Sequence, residues 1–327
     1  MTDMTRGIGA ALALCAALLA WGCGSGDEGG QTSAAAPRPA TATPAAPAPA
    51  TTTNRPASAP APLARANRFD GTAAFALLTE QVREYGWRPA GSAALRRLAV
   101  RLRALMPRGR FEAIPGHPRL RNIVGTVPGR KPAIVVAAHY DVEATPEGFV
   151  GANDGAAGTA AVVTLARAFA RLKRSAGARE LRFVLFDGEE EPAGCVPFAS
   201  CGIRGSRAYA KRHAREIRAL VLLDYIAEKD NLSFPRELGS DVELWTRLQR
   251  AAADVGVGAL FPQSIAGQII DDHYPFTQRG IPAIDLIDFD YPQRDSLRDN
   301  LDAVSRRSLD AVGEAVHLLI ARIRRSG

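Results

Sequence analysis

Several features that mark common classes of protein are missing from this sequence. Aromatic residues make up only 6% of the chain, the formal charge is a mild +7, and arginines are scattered rather than clustered. Binding of single-stranded nucleic acid needs basic and aromatic side chains together, so we expect no nucleic-acid partner. No internal repeat is visible. The apolar run at residues 8–20 has 13 residues, which is too short for a stable transmembrane helix.

The N-terminal residues resemble a bacterial lipoprotein signal. Arg6 places a positive charge before the apolar run, and Ala20-Trp21-Gly22-Cys23 follows the run. In this interpretation residues 1–23 form the signal, and Cys23 carries the lipid that anchors the protein to a bacterial membrane. The alternative is an ordinary secretory signal that is cleaved nearby. Both interpretations predict a protein that works outside the cytoplasm.

Residues 24–64 are rich in alanine, proline and threonine, with almost no large apolar side chain. Such a segment cannot bury enough surface to offset the entropy lost on ordering. We therefore predict a disordered tether, whose ~40 residues would span about 35 Å as a flexible coil. The catalytic domain is predicted to cover residues 65–327.

Cysteine usage agrees with export from the cytoplasm. Beyond the N-terminal region only Cys195 and Cys201 remain, six residues apart. In an oxidising compartment such a pair is expected to close a small loop through a disulfide. The alternative, a zinc site, lacks a nearby histidine or a further cysteine.

Apolar segments alternate with segments of helical periodicity along the rest of the chain. Strands are predicted at residues 122–127, 133–138, 181–186, 219–223 and 283–287. Helices are predicted at residues 69–85, 93–105, 156–172, 206–215, 242–255 and 309–323. Near-continuous apolar strands that alternate with helices indicate an α/β fold, with a mostly parallel sheet covered on both faces.

Acidic residues and a histidine follow these strands at the points where they end. The set consists of His139, Asp141, Glu189, Glu190 and Asp224, together with Asp154 at the start of a helix. Open parallel sheets bind ligands outside the carboxyl ends of their strands, so these side chains should converge. Buried carboxylates that lie close together need a compensating positive charge. A divalent cation provides one, and mixed histidine and carboxylate ligands suit zinc.

These motifs resemble a known enzyme superfamily. His139-Tyr140-Asp141, Asn153-Asp154-Gly155, Glu189-Glu190, Leu223-Asp224 and the segment 295–302 follow, in order and spacing, the zinc aminopeptidases and glutaminyl cyclases of metallopeptidase family 28. The resemblance implies a three-layer α/β/α sandwich around a mainly parallel sheet. It also implies that Asp154 and Glu190 bind zinc and that Glu189 is the general acid/base.

The resemblance assigns the remaining residues differently in the two branches of the superfamily. In the aminopeptidase branch His139 and Asp224 hold a second metal, which Asp154 bridges to the first. In the cyclase branch one zinc is bound, and Asp224 and Asp271 form a carboxylate relay with Glu189. Asp141 is expected to orient His139 in either case.

The finer resemblance favours the cyclase branch. Residues 222–226, 234–235, 244–249 and 271–282 look like the corresponding cyclase segments. There the zinc polarises the γ-amide of an N-terminal glutamine, ammonia leaves, and pyroglutamate is the product. The substrate would then be the N-terminus of a peptide or protein, and His273 and Arg294 are predicted to contact it.

The chain departs from the family at the last metal ligand. When the sequences are aligned on Asp299-Asn300, Asp295 stands where the family has a histidine, and Arg294 stands where it has a tryptophan. Three carboxylates, from Asp154, Glu190 and Asp295, would favour harder cations such as Mn or Mg relative to zinc. Alternatively, Asp295 does not reach the metal.

Three functions follow from this sequence, and a monomer is expected for each. The first is a glutaminyl-peptide cyclotransferase with one zinc ion. The second is a zinc aminopeptidase with two. The third is a catalytically weak binding domain of the same fold, which the substitution at Asp295 motivates.

Overall fold

The computed structural model describes residues 58–173 and 176–325. The predicted signal peptide, Cys23 and most of the predicted tether lie outside these residues. Within the described ranges, no helix combines the length and the apolar character that crossing a membrane requires. The prediction of a lipid anchor therefore stays a prediction.

The described residues form one six-stranded sheet. Its strands are β1 (Arg110–Ala113), β2 (Arg121–Val127), β3 (Arg130–His139), β4 (Arg179–Phe186), β5 (Ile217–Asp224) and β6 (Ala283–Ile287). The order across the sheet is β1-β2-β4-β3-β5-β6. The strands β4, β3, β5 and β6 are parallel, whereas β1 and β2 pair antiparallel at one edge. The predicted, mainly parallel sheet is confirmed.

Strand β1 is the one that the sequence did not predict. It has four residues, Arg-Phe-Glu-Ala, and all of them are exposed or half-buried at the edge of the sheet. The strand therefore lacks the apolar run by which the five buried strands were predicted.

Helices cover both faces of the sheet. They are α1 (Gly71–Glu80), α2 (Ala93–Leu105), α3 (Gly158–Arg171), α4 (Phe198–Cys201), α5 (Arg204–His213), α6 (Val242–Asp254), α7 (Tyr274–Thr277) and α8 (Arg306–Ile323). The predicted helix 69–85 is α1 followed by a π-helical turn, Gln81–Tyr85. It begins after Asp70, whose carboxylate accepts a hydrogen bond from the N–H of Ala73.

The side chains of β3 divide between two apolar clusters, as the alternation of a strand requires. Ile134, Val136 and Ala138 lie in a large cluster with residues of α1, α2, α3, α6 and α8. Val135 and Ala137 lie in a smaller cluster with residues of α5 and α7. The sheet is therefore the middle layer of an α/β/α sandwich, as predicted.

Residues at the end of the predicted tether contact the folded part. Ala61 is buried, and the N–H of Asn231 donates to the carbonyl of Ala59 over 2.8 Å. The side chain of Asn231 accepts a hydrogen bond from the N–H of Ala59 over 2.9 Å. Residues 59–61 thus contact the folded domain, although they precede its predicted start at Arg65.

The predicted disulfide is confirmed. Cys195 and Cys201 are bonded, with their Cα atoms 6.1 Å apart. The bond closes a loop that contains most of α4 and lies between β4 and α5.

Gly158 allows α3 to approach the sheet closely. A Cβ atom at this position would lie 2.2 Å from the carbonyl oxygen of Leu223 in β5 and 2.9 Å from Cβ of Ala138 in β3. The start of α3 therefore meets the carboxyl ends of two neighbouring strands. This contact brings the loop that contains Asp154 to the place where these strands end.

We expect Gly158→Ala to lower the free energy of unfolding by about 1–3 kcal/mol, because a methyl group must displace the backbone of a central strand. Urea unfolding measures the change. Gly267→Ala is the control, since a Cβ atom there would meet nothing within 4 Å. Equal unfolding midpoints for the two variants would show that α3 does not need this close contact.

Candidate active site

His139 is the centre of a buried group of acidic side chains. It is the last residue of β3, and its Nε2 atom lies 3.1 Å from Oδ1 of Asp154 and 3.3 Å from Oδ1 of Asp224. Asp224 ends β5, which lies beside β3 in the sheet, and Asp154 comes from the loop that enters α3. The predicted convergence of these three side chains is therefore observed.

The acidic neighbours control the protonation of this imidazole. Burial alone lowers the pKa of His139, but hydrogen bonds with Asp154 and Asp224 outweigh burial and raise the pKa well above its ordinary value. In the absence of another cation, the protonated ring partly neutralises the two carboxylates.

Glu189 and Glu190 lie in a turn that follows β4. The carboxylate of Asp141 accepts hydrogen bonds from the N–H groups of both residues, over 3.3 and 3.2 Å. The distance between Asp141 Oδ1 and His139 Nδ1 is 3.9 Å, which is too long for a hydrogen bond. Asp141 therefore positions the glutamate turn, and the expectation that it orients His139 stays a prediction.

Burial disfavours the ionised form of both glutamates. It raises the pKa of Glu189 and Glu190 well above the ordinary value, and the charge of Asp154 adds to the effect on Glu190. Burial also raises the pKa of Asp224 to about 7, although the hydrogen bond with His139 opposes the rise. A single imidazolium therefore does not compensate this cluster.

The side chains fit a divalent cation. Three groups within the described chain have ligand atoms that all lie within 4.8 Å of one another. Two of them contain His139, namely His139-Asp154-Asp224 and His139-Glu189-Glu190, and the third is Asp271-His273-Asp285. The Nδ1 atom of His139 is buried and has no hydrogen-bond partner among the described residues. One imidazole with several carboxylates is a donor set that suits zinc.

Asp295 lies near this cluster but belongs to neither group. Its Oδ1 atom is 3.4 Å from the hydroxyl of Tyr225, which donates a hydrogen bond to Oδ2 of Asp154 over 2.8 Å. On its other side, Oδ2 of Asp295 is 3.3 Å from Nε of Arg294, whose guanidinium lies over the ring of Phe289. Ligation of the metal by Asp295 stays a prediction.

A cavity of about 450 Å³ opens onto the cluster. Acidic side chains line its base, and apolar side chains form much of its wall. The acidic set is Glu143, Asp154, Glu189, Glu190, Glu191, Asp224, Asp271 and Asp295, and the apolar set includes Phe198, Ile269, Ile270, Ile287 and Phe289. Arg294 lines the cavity as well, as its predicted contact with substrate requires.

His273 does not reach the cavity. Its ring is buried, with Nε2 3.2 Å from Oε1 of Glu237 and Nδ1 3.5 Å from Oδ2 of Asp285. Both ring nitrogens therefore face carboxylates of the protein. The prediction that His273 contacts substrate was wrong, because the residue lies behind the cavity wall.

Two residues that hold the Asp154 loop were not recognised in the sequence. The carboxylate of Asp299 accepts hydrogen bonds from the N–H groups of Asn153 and Asp154 and from the hydroxyl of Tyr291. The buried guanidinium of Arg88 donates to the carbonyls of Val150 and Gly151. Asp299 could have been suspected because it belongs to a family motif. Arg88 follows no strand and carries no such signal.

The fold and this geometry agree with the known proteins that the chain resembles. Residues 122–320 match the family described as Peptidase family M28. The chain belongs to this family. A glutaminyl-peptide cyclotransferase from Bothrops jararaca is 28% identical over an alignment of 245 positions, and the alignment covers 63% of this chain and 66% of that protein. The chain thus spans just under two thirds of the length of this relative.

Solved structures of related proteins are similar to this chain as well. A glutaminyl cyclase from Porphyromonas gingivalis is 26% identical, with a TM-score of 0.69 over 79% of this chain and 100% of that chain. A Zn-dependent exopeptidase from Parabacteroides distasonis, 24% identical, has a TM-score of 0.68 over 77% of this chain and 98% of that chain, and shares the fold. The chain is therefore similar to a glutaminyl cyclase in sequence and structure, and it shares its fold with the exopeptidase.

We expect Asp299→Ala to weaken binding of zinc about 10–100-fold, the usual effect of removing a group that orients a ligand. The loss follows because Asp154 would no longer be held by its backbone N–H. Competition with a chromogenic chelator measures the affinity. Asp302→Ala, at an exposed position nearby, is the control. Equal affinities would show that the loop needs no such support.

The pH dependence of stability provides a second test. Burial, together with the charge of a neighbouring aspartate, raises the pKa of Asp187 and Asp299 from 3.8 to about 7. The folded chain therefore binds these protons more tightly than the unfolded chain. The resulting stabilisation is complete below the unfolded pKa and is lost as pH rises through the folded one. After chelation of metal, Tm should fall between about pH 5 and about pH 8. A Tm that stays level or rises over this range would contradict the assignment.

Proposed function

We propose that the protein is an extracytoplasmic, metal-dependent enzyme of the glutaminyl-peptide cyclotransferase type. It converts the N-terminal glutamine of a peptide into pyroglutamate and releases ammonia. The location rests on the signal in residues 1–23, with Cys23 as the lipid anchor. The reaction is supported by similarity to glutaminyl cyclases and by one structural observation, which is the set of buried carboxyl groups around Glu189.

The cavity suits the N-terminus of a peptide. The carboxylates at its base attract the α-ammonium group, because they are buried and only partly neutralised. The apolar wall, which includes Ile269 and Phe289, contacts the methylene groups of the glutamine side chain. A glutamine side chain brings no further negative charge to this acidic base, unlike a glutamate.

Glu189 is the group that moves the proton. Burial raises its pKa well above the ordinary value, the charge of His139 opposes this rise, and the charge of Asp271 adds to it. A carboxyl group with a raised pKa is suited to both accept and return a proton. As the α-amine nitrogen bonds to the γ-carbon, Glu189 accepts the proton that this nitrogen loses. Glu189 then returns the proton to the amide nitrogen, which leaves as ammonia. The α-ammonium group must lose one further proton before it attacks, and the released ammonia takes up an equivalent proton to become ammonium, so the overall reaction takes up and releases no net proton.

The neighbouring carboxyl groups keep Glu189 ready for both steps. Asp224 and Asp271 are buried, and both line the cavity beside Glu189. The charge of Asp271 raises the pKa of Asp224 as well as that of Glu189. The three carboxyl groups therefore titrate as one system, and this supports their assignment as a relay.

Asp154 and Glu190 would hold the metal, with Asp295 as a third ligand in the one-ion site. A bound divalent cation supplies Lewis acidity toward the γ-carbonyl oxygen of the substrate. His139 and Asp224 would then remain hydrogen-bonded to each other rather than bind an ion.

An aminopeptidase is the second candidate. The observation that favours it is that the ligand atoms of His139, Asp154 and Asp224 lie close enough to share an ion. That ion would be a second one, bridged by Asp154 to the first. Measurement of metal stoichiometry therefore separates the two reactions.

Purified protein loaded with zinc should release ammonia from a glutaminyl peptide and should not cleave aminoacyl-amides. Glu189→Gln should lower kcat about 10²–10⁴-fold, because the general acid/base is removed while the shape is kept. Glu147→Gln, at an exposed position, is the matched control. Ammonia release and mass spectrometry of the peptide measure the reaction.

Other outcomes would contradict the proposal in different ways. Cleavage of aminoacyl-amides with two bound ions would identify an aminopeptidase. No turnover of either substrate by folded, metal-loaded protein would indicate a binding domain. Unchanged turnover by Glu189→Gln would show that the acid/base role is wrong.

A further inference from the structure

Tyr225 lies beside the candidate metal site and has an unusual backbone conformation. It follows Asp224 directly and has φ 47°, in the left-handed region that bulky residues rarely adopt. This conformation costs on the order of 1–3 kcal/mol and persists only where the surroundings impose it. The side chain is buried, and the N–H of Tyr225 donates to the carboxylate of Asp224. The backbone turn therefore directs the phenol toward the carboxylates beside Asp224.

The hydroxyl of Tyr225 lies between two carboxylates. It donates to Oδ2 of Asp154 over 2.8 Å, and Oδ1 of Asp295 is 3.4 Å away. Asp154 is thus held at both oxygens, since its Oδ1 atom contacts His139 over 3.1 Å. The phenol ring packs against Tyr291, with ring centroids 5.8 Å apart. The ring is fixed from the side, so the position of the hydroxyl is fixed as well.

Asp295 is held by longer contacts than Asp154, namely 3.4 Å to Tyr225 and 3.3 Å to Arg294. It also has a positive φ, 54°, and half of its side chain is exposed. Its second oxygen is near Arg294, which would draw the carboxylate toward the rim of the cavity. An aspartate side chain is shorter than that of the histidine that the resemblance to the family implies at this position. It therefore needs a partner on the metal side to remain directed at Asp154.

We infer that Tyr225 is a positioning residue of the metal site, whose hydroxyl orients Asp154 and retains Asp295 beside it in place of the missing histidine. This inference rests on the metal binding assumed in the proposed function. It concerns how the ion is held rather than which reaction follows. The hydroxyl is the part of the side chain that the inference requires, and the ring supplies only packing.

Tyr225→Phe tests the inference, because it removes the hydroxyl and keeps the ring. We expect the affinity for zinc to fall about 10–100-fold, as for other groups that orient ligands. Tm of the chelated protein should change little, since the packing against Tyr291 remains. Chelator competition measures the affinity, and thermal unfolding of the metal-free protein checks the fold. Tyr85→Phe is the matched control, at a half-buried position at the end of the π-helical turn.

A double-mutant cycle with Asp295→His tests the second part of the inference. If the hydroxyl retains Asp295, Tyr225→Phe should lower the affinity for zinc much less in the Asp295→His background than in the wild-type background. An equal cost in both backgrounds would show that the hydroxyl acts on Asp154 alone. That result would overturn the compensation for the missing histidine.

Metal affinity that is unchanged by Tyr225→Phe would overturn the inference, whether or not stability changes. A wild-type protein that binds no divalent ion would overturn it too. Zinc binding that depends on Tyr225, in a protein that turns over neither substrate, would leave the inference intact and contradict the proposed function. The two proposals can therefore fail separately.

Discussion

The structure depends on a concentration of buried negative charge around His139. The imidazole contacts Asp154 and Asp224 directly, and the glutamates of the following turn lie beside it. Buried carboxylates are costly unless a cation or a proton neutralises them. One imidazolium leaves most of this charge uncompensated. Binding of a further cation would therefore stabilise the folded protein. The same charge makes the cavity attractive to an ammonium group.

Much of the surrounding structure serves to hold these carboxylates in place. Asp299 and Arg88 bind the backbone of the loop that carries Asp154, and Asp141 binds the backbone of the glutamate turn. Gly158 allows the following helix to pack on the sheet beneath them. All of these contacts are made between groups of the protein itself. The site is therefore preorganised, which lowers the cost of binding a metal and of orienting a substrate.

The sequence predicted the sheet and most of the site for a physical reason. Apolar strands are recognisable, and groups that follow parallel strands must meet at one edge of the sheet. His139 and Asp224 were predicted in this way. The partners of Asp141 and His273 could not be predicted, because they depend on the packing of individual side chains. Tyr225 was missed because its direction is set by a local φ that the residue type disfavours.

The most direct test of this account is a crystal structure of zinc-loaded protein with anomalous data collected at the zinc edge. The account predicts one ion, with oxygens of Asp154 and Glu190 at about 2.0–2.2 Å, and His139 hydrogen-bonded rather than ligated. A second ion bound by His139 and Asp224 would contradict the cyclase assignment. A cluster that stays without any ion in excess zinc would contradict the account as a whole.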